Sequence, residues 1–140
     1  MEHNQNDYNQ RLIEEFRADR SNNGEAFKGR PLLLLTTTGA RSGQRRTTPM
    51  MYVSDGNRLL VIASNAGALK HPAWYHNIVA HPQVTVEVGK EVYDANAIVT
   101  EGAERQRLWA RIVEQYPFFA DHQAKITREI PVVALERNVE

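Results

Sequence analysis

Two short turns, Asp55-Gly56-Asn57 and Gly89-Lys90, limit the fold of this chain more than any other feature of its sequence. A connection of two or three residues can join only antiparallel neighbours, because a parallel pair needs a crossover of about a dozen residues or more. Apolar and β-branched runs flank both turns. Arg46 to Ser54 precedes the first and Leu59-Leu60-Val61-Ile62-Ala63 follows it, while Val84-Thr85-Val86-Glu87-Val88 and Glu91-Val92-Tyr93 flank the second. Glycine in the first position of the second turn supplies the positive φ that a type II′ hairpin requires. Upstream, Leu32-Leu33-Leu34-Leu35 followed by Thr36-Thr37-Thr38 reads as a buried strand leaving the core.

Helices interrupt this pattern. One is expected to begin at Pro72, where a missing N–H costs nothing, and to be limited by Pro82. A second is expected after Thr100 as N-cap, with Leu108, Trp109, Ile112 and Val113 as its buried face, ending at Tyr116-Pro117. A short helical piece from Phe118 to Arg128 and a closing strand from Ile130 to Leu135 complete the order β-β-β-α-β-β-α-β. Hairpins without βαβ crossovers predict a mainly β, antiparallel single domain, a small closed or partly open barrel with helices packed outside.

Ahead of the barrel, Asp7 to Arg20 carries Tyr8, Leu12, Ile13 and Phe16 at helical spacing, and Ser21-Asn22-Asn23-Gly24 breaks it. The narrow apolar stripe predicts a helix packed on the barrel; a lid or a weak membrane-surface contact is the alternative. The expected division is a helix and linker over 1–30, the barrel over 31–137 and a tail over 138–140. A length of 140 residues fits that single domain. With no cysteine, a disulfide framework, thiol catalysis and thiolate metal sites are excluded. The 17 basic and 17 acidic residues balance, which argues against a nucleic-acid surface. A polar, acidic start from Met1 to Gln10 and the absence of a long apolar run point to a cytoplasmic protein, with membrane association through the first helix as the alternative.

Two stretches could carry chemistry. In the first, Thr36 to Pro49, Gly39 and Gly43 bracket a turn able to present successive backbone N–H groups to an anion. Hydroxyls of Thr38, Ser42 and Thr47 add donors, Arg41, Arg45 and Arg46 add cationic forks, and Lys28 and Arg30 lie just upstream. Spacing alone leaves open whether this is a phosphate site or an exposed basic turn. In the second, Ala63 to Asn77, a strand ends in small residues and meets a helix start, so backbone can approach a flat ring closely. Ser64 and Asn65 could bond the edge of such a ring, whereas Trp74 and Tyr75 could be cofactor contacts or core packing. His71, His76 and His81 stand five apart, a poor spacing for a helical metal pair, and no metal site is expected. No nucleophile elbow or serine triad is visible, which suits chemistry done by a bound cofactor.

Two motifs make the reading specific. Thr38-Gly39-x-Arg41-Ser42-Gly43-x-x-Arg46-x-x-Pro49, then Ala63-Ser64-x-x-Gly67-Ala68-x-x-x-Pro72-x-Trp74-Tyr75-x-Asn77, resemble the deazaflavin-dependent nitroreductase family, split β-barrel proteins of the FMN-binding split-barrel type that use reduced coenzyme F-420. The likeness extends over Val84 to Val88, Tyr116-Pro117 and Ile130-Pro131-Val132, from about Pro31 to Leu135. It implies that Thr38, Gly39, Arg41, Ser42, Arg46 and Pro49 hold the phosphate and acidic tail of the cofactor. It also implies that Ala63, Ser64, Asn65, Gly67, Trp74 and Tyr75 lie along its ring and phosphodiester arm. Ser64 and Tyr116 become the candidates for hydrogen-bonding a small-molecule acceptor, a quinone, an enone or a nitroaromatic. Asn65 stands where relatives often carry lysine, and Arg45 is the candidate replacement for that charge. An FMN-binding split barrel and a non-catalytic cofactor-binding protein are the alternatives, and pairing into a homodimer is a further expectation.

Overall fold

The computed structural model describes residues 2–18 and 31–138, with side chains of the first helix described from Tyr8 onward. Ser21 to Gly24, Lys28, Arg30 and the expected boundary at residue 30 lie outside the described residues. Helix α1 spans Glu2–Ala18, beginning five residues before the expected start. Strands β1 (Leu32–Thr38), β2 (Arg45–Met51), β3 (Val53–Asp55) and β4 (Arg58–Ile62) follow, then α2 (Ala73–Ala80), β5 (Gln83–Val88) and β6 (Glu91–Val99). Helices α3 (Gly102–Gln115) and α4 (Phe118–Ala124) precede the closing strand β7 (Val132–Arg137).

The seven strands form one antiparallel sheet in the order β2-β1-β5-β6-β7-β4-β3. Its two edge strands are consecutive in the chain, separated only by Tyr52. Laid flat, six inter-strand gaps of about 4.8 Å would hold those edges about 29 Å apart, and one residue reaches about 3.6 Å at most. The sheet must therefore curl until its edges meet, and that closure makes the split barrel.

Closure also corrects one expectation. The run Arg46 to Ser54 is not a single strand paired across the first turn. Only Val53, Ser54 and Asp55 pair with β4, whereas β2 runs along β1 from Leu32↔Met51 to Thr38↔Arg45. The turn fixes three pairs; the chain then crosses to the opposite edge, which a local signal cannot encode. The second turn keeps its two residues with Gly89 at φ +56°, and the first narrows to two, Gly56 and Asn57, with Asp55 ending β3 and Gly56 at φ +63°.

The leucine run of β1 is continuous because both faces are covered. Leu33 and Leu35 point into the barrel with Val61, Val86, Val133 and Leu135, while Leu32 and Leu34 lie under Ile13 and Phe16 of α1. Arg17 locks that helix to the sheet through two bonds to Glu87, of 3.1 and 2.6 Å. The expected packed helix is what is found, and its apolar stripe is spent on β1. On the other side, Leu108, Ile112 and Phe119 of α3 and α4 cover Leu60, Val132 and Ala134.

Helix α3 departs from expectation at its start. Its N-cap is Glu101, and Thr100 is buried with its hydroxyl donating to the Val132 carbonyl at 2.8 Å. Arg105 replaces Trp109 and Val113 on the most buried face, donating to the Ile130 carbonyl at 2.6 Å, with Trp109 beneath its guanidinium. No helix among the described residues is long and apolar enough to cross a membrane.

Candidate active site

The β1–β2 loop closes largely on itself. Gly39 N–H donates to the Gln44 carbonyl at 2.8 Å, Gly43 N–H to the Gly39 carbonyl at 3.0 Å, and Gln44 N–H to Ser42 Oγ at 3.1 Å. Ala40 N–H is taken at 2.9 Å by Asn77 Oδ1. A Cβ at residue 39 would stand 2.5 Å from Ser42 Oγ and 3.3 Å from the Gln44 carbonyl, so this turn excludes a side chain there. The expected row of amides is thus mostly consumed; among the described residues only Arg41 and Ser42 keep free loop N–H groups. Two of the expected hydroxyls are engaged as well, Thr47 with Thr36 at 2.8 Å and Thr38 as acceptor from Arg45 at 2.9 Å. What the loop offers an anion is therefore chiefly side chains.

Strand alternation sorts the arginines. Consecutive residues of β2 project to opposite faces, so Arg45 turns to Thr38 and Thr85 while Arg46 faces a cleft of about 560 Å³. Arg45 does not line that cleft, and neither does Asn65. The cleft is lined by Gly39 to Ser42 and Arg46 on one side and by Ala73, His76 and Asn77 of α2 on the other. Arg41 and Arg46 are exposed and form no ion pair among the described residues. Asn77, buried, is the joint between the two walls. Its amide accepts from Ala40 N–H and donates to Thr37 Oγ1 at 3.0 Å.

The β4–α2 loop is built differently. After buried Ala63 and Ser64, the chain makes a 3-10 turn in which Asn65, Ala66 and Gly67 adopt φ of +50°, +53° and +81°. For non-glycine residues this region costs about 1–2 kcal/mol each, and asparagine tolerates it better than alanine. Asn65 Nδ2 donates to the Lys70 carbonyl at 3.1 Å, and Gly67 N–H to the Ser64 carbonyl at 3.0 Å. The larger restraint is remote. Arg128, beyond α4, donates to the carbonyls of Ala63, Ser64 and Ala68 at 2.9–3.3 Å, and to His71 Nδ1 at 3.1 Å. An arginine has no acceptor, so His71 receives that bond as a neutral ring. Burial, followed by the charges of Arg128 and His76, holds His71 below its usual pKa, in agreement with that form. His71 stacks in turn on Tyr75, ring centroids 4.4 Å apart.

The expected site residues therefore divide. Gly39, Arg41, Ser42 and Arg46 share the cleft; Thr38 and Pro49 sit on the strands beside it, Pro49 buried opposite Leu34. Ala63, Ser64, Asn65 and Gly67 form the strained turn, and α4 backs it, since a Cβ at Gly67 would meet His122 Cα at 3.5 Å. Trp74 and Tyr75 pack against the barrel core, and Tyr75 also lines a second cavity of about 370 Å³ with His71 and Arg105. Tyr116 is half-buried beside Phe118, at 6.0 Å, in the cluster under α3 and α4 rather than in the first cleft. His122 stands against Phe118 and Phe119 with its buried Nδ1 unpartnered, and burial lowers its pKa. Sequence reasoning did not assign roles to Ala73, His76, Asn77 and Arg128. The α2 residues lie within the second motif at i, i+3, i+4 spacing, a signal that was available; nothing local marks Arg128.

Residues 10–137 match the family model described as F420H(2)-dependent quinone reductase. The chain belongs to this family. It is 38% identical over 110 residues to the F420H(2)-dependent quinone reductase Rv1261c of Mycobacterium tuberculosis, covering 76% of this chain and 74% of that one. Among solved structures, the F-420-H2-dependent reductase FDR-A aligns with a TM-score of 0.70 at 44% identity, over 76% of this chain and 95% of its own. A protein described as a domain-swapped dimer aligns at 0.72 and 39%, over 90% of this chain and 96% of its own. The chain is thus an F-420-H2-dependent reductase whose cofactor is coenzyme F-420, and its fold is the split barrel. The cleft suits the cofactor's phosphate-bearing part, offering two arginines and two amides that have no carboxylate or acceptor partner among the described residues.

Proposed function

We propose that this reductase delivers a hydride to a quinone-like acceptor, with enones and nitroaromatics as further substrates. The observation that carries the cofactor half of this reading is the placing of Arg41 and Arg46, neither with an ion-pair partner among the described residues, across the cleft from α2. Charge-assisted bonds to a phosphate contribute about 1.5–3 kcal/mol each. When bound, the reduced deazaflavin would supply one hydride, an electron pair with its proton, and a quinone that takes it together with one further proton becomes the hydroquinone. In this proposal Arg41, Arg46 and Ser42 anchor the tail, with Thr38, Gly39 and Pro49 shaping that end. Ala63, Ser64, Asn65, Gly67, Trp74 and Tyr75 are assigned to the ring and its arm. Ser64 and Tyr116 orient the acceptor by hydrogen bonds, and the aromatic cluster of Phe118, Phe119 and His122 supplies an apolar wall. The quinone assignment draws on the names of the relatives. A homodimer is part of the same proposal, supported by the structural neighbour described as a domain-swapped dimer.

Fluorescence titration of the purified protein with oxidised coenzyme F-420 and, separately, with FMN tests the cofactor reading, and oxidation of the reduced form by quinones, enones and nitroaromatics tests the acceptors. Saturable binding of the deazaflavin alone with quinone-dependent oxidation is expected. Binding of FMN alone would transfer the protein to flavin chemistry. Deazaflavin binding without turnover on any acceptor would leave a cofactor-binding protein.

A further inference from the structure

We infer that Arg128 is a positioning residue for the ring-binding half of the site, holding the Ala63–Ala68 turn so that the Ser64 and Asn65 amides face the ligand. This rests on the proposed placement of that turn along the deazaflavin. The turn has three successive residues at positive φ, two of them not glycine. It would relax toward ordinary backbone unless something outside it fixed the direction of its peptide planes. Arg128 does so from 60 to 65 residues away, through Nη1 to the Ala63 carbonyl, Nη2 to those of Ser64 and Ala68, and Nε to that of Ala68.

The consequence follows from peptide planarity. In a trans peptide the C=O and the next N–H point in opposite directions, and the described chain has no cis peptide. Turning the Ala63 and Ser64 carbonyls onto Arg128 therefore turns the N–H groups of Ser64 and Asn65 away from it. Neither amide has a backbone or side-chain acceptor among the described residues. Two adjacent donors on the side turned away from Arg128 recognise a ligand edge carrying acceptor oxygens, such as the carbonyl edge of a fused-ring pyrimidine. The planar fork of arginine is what makes this work, since three carbonyls are gathered by one rigid group. A lysine could carry the same charge but not the same directions. The bond to His71, stacked on Tyr75, extends the hold to the start of α2.

The test uses the full chain with Arg128→Lys and Arg128→Ala, titrated with oxidised coenzyme F-420 and with the deazaflavin bearing its ribityl chain but no phosphate tail. Both variants should lose affinity for both ligands, by at least about tenfold, while millimolar guanidinium restores much of the loss in Arg128→Ala. Arg41→Ala/Arg46→Ala should lose affinity for the tailed ligand alone. Tail-less binding by Arg128→Lys as tight as in the unaltered protein would overturn the inference, because charge would then suffice without the fork. If Arg128→Ala fails to fold, Arg128→Lys decides by the same criterion. Failure of the unaltered protein to bind either ligand would overturn the cofactor reading itself, an outcome distinct from the others.

Discussion

The two loops that meet near α2 solve the same problem in opposite ways. The β1–β2 loop is stabilised within itself: inside six residues Gly39 bonds to Gln44, Gly43 to Gly39 and Gln44 to Ser42, and among the described residues Asn77 fastens it from outside. The β4–α2 loop holds strained backbone and depends on Arg128, far along the chain. The first loop is closed by its own amides and leaves those of Arg41 and Ser42 free beside two arginine side chains. The second spends the Gly67 and Ala68 amides inside its turn, and the direction of the two left over, on Ser64 and Asn65, is set by a distant guanidinium.

The sharpest way to break this comparison is at the arginines of the first loop. Arg41→Ala/Arg46→Ala removes two charge-assisted contacts; at about 1.5 kcal/mol each coenzyme F-420 affinity would drop a little over a hundredfold, and at about half that energy each, as screening of exposed side chains allows, about tenfold. Both side chains are exposed and have no ion-pair partner among the described residues, so the thermal midpoint should barely move; unchanged affinity in a fluorescence titration would sink the tail assignment.

Asn77→Ala comes next. It strands the Ala40 N–H and the Thr37 hydroxyl, and should cost about 1–3 kcal/mol in denaturant unfolding. Cofactor affinity should fall too, because the two walls of the cleft lose their joint. A stability loss with intact affinity would show that the first loop needs no outside support.

Gly67→Ala probes the second loop. At φ +81° an added Cβ costs about 1–2 kcal/mol, although its contacts at 3.5–3.6 Å are ordinary. No change in urea midpoint would mean that the turn relaxes freely and that its strain is not maintained from outside.

The smallest effect is on pH. His71 and His122 are held below the ordinary imidazole pKa in the folded state, chiefly by burial. The unfolded chain therefore binds more protons below about pH 6.5, and stability falls as pH drops through that value toward the lowered folded pKa. His71→Gln should flatten part of this decline in melting temperature between about pH 7 and pH 5.5. An identical slope in the variant would show that His71 does not contribute as a neutral acceptor.

Much of the fold was legible because its signals are local. The glycines at 56 and 89 set both two-residue hairpins, Pro72 and Pro82 bracket α2, and the apolar spacing of Leu12, Ile13 and Phe16 gives the packed helix. The first motif was legible for the same reason, as Gly39, Arg41, Ser42 and Arg46 all lie within one loop and the strand after it. Its chemistry was less so, since hydrogen-bond consumption of the amides appears only once the turn is closed.

What the sequence by itself determined, then, is the antiparallel hairpin pattern, the basic loop and the family to which they belong. Tertiary structure alone decided that the segment Arg46 to Ser54 splits at Tyr52 across the two sheet edges, that Arg45 and Arg46 part company, and that Arg128 reaches back to Ser64. The physical reason is range: turn and helix preferences act over a few residues, whereas barrel closure and a guanidinium gathering distant carbonyls depend on where the whole sheet brings the chain.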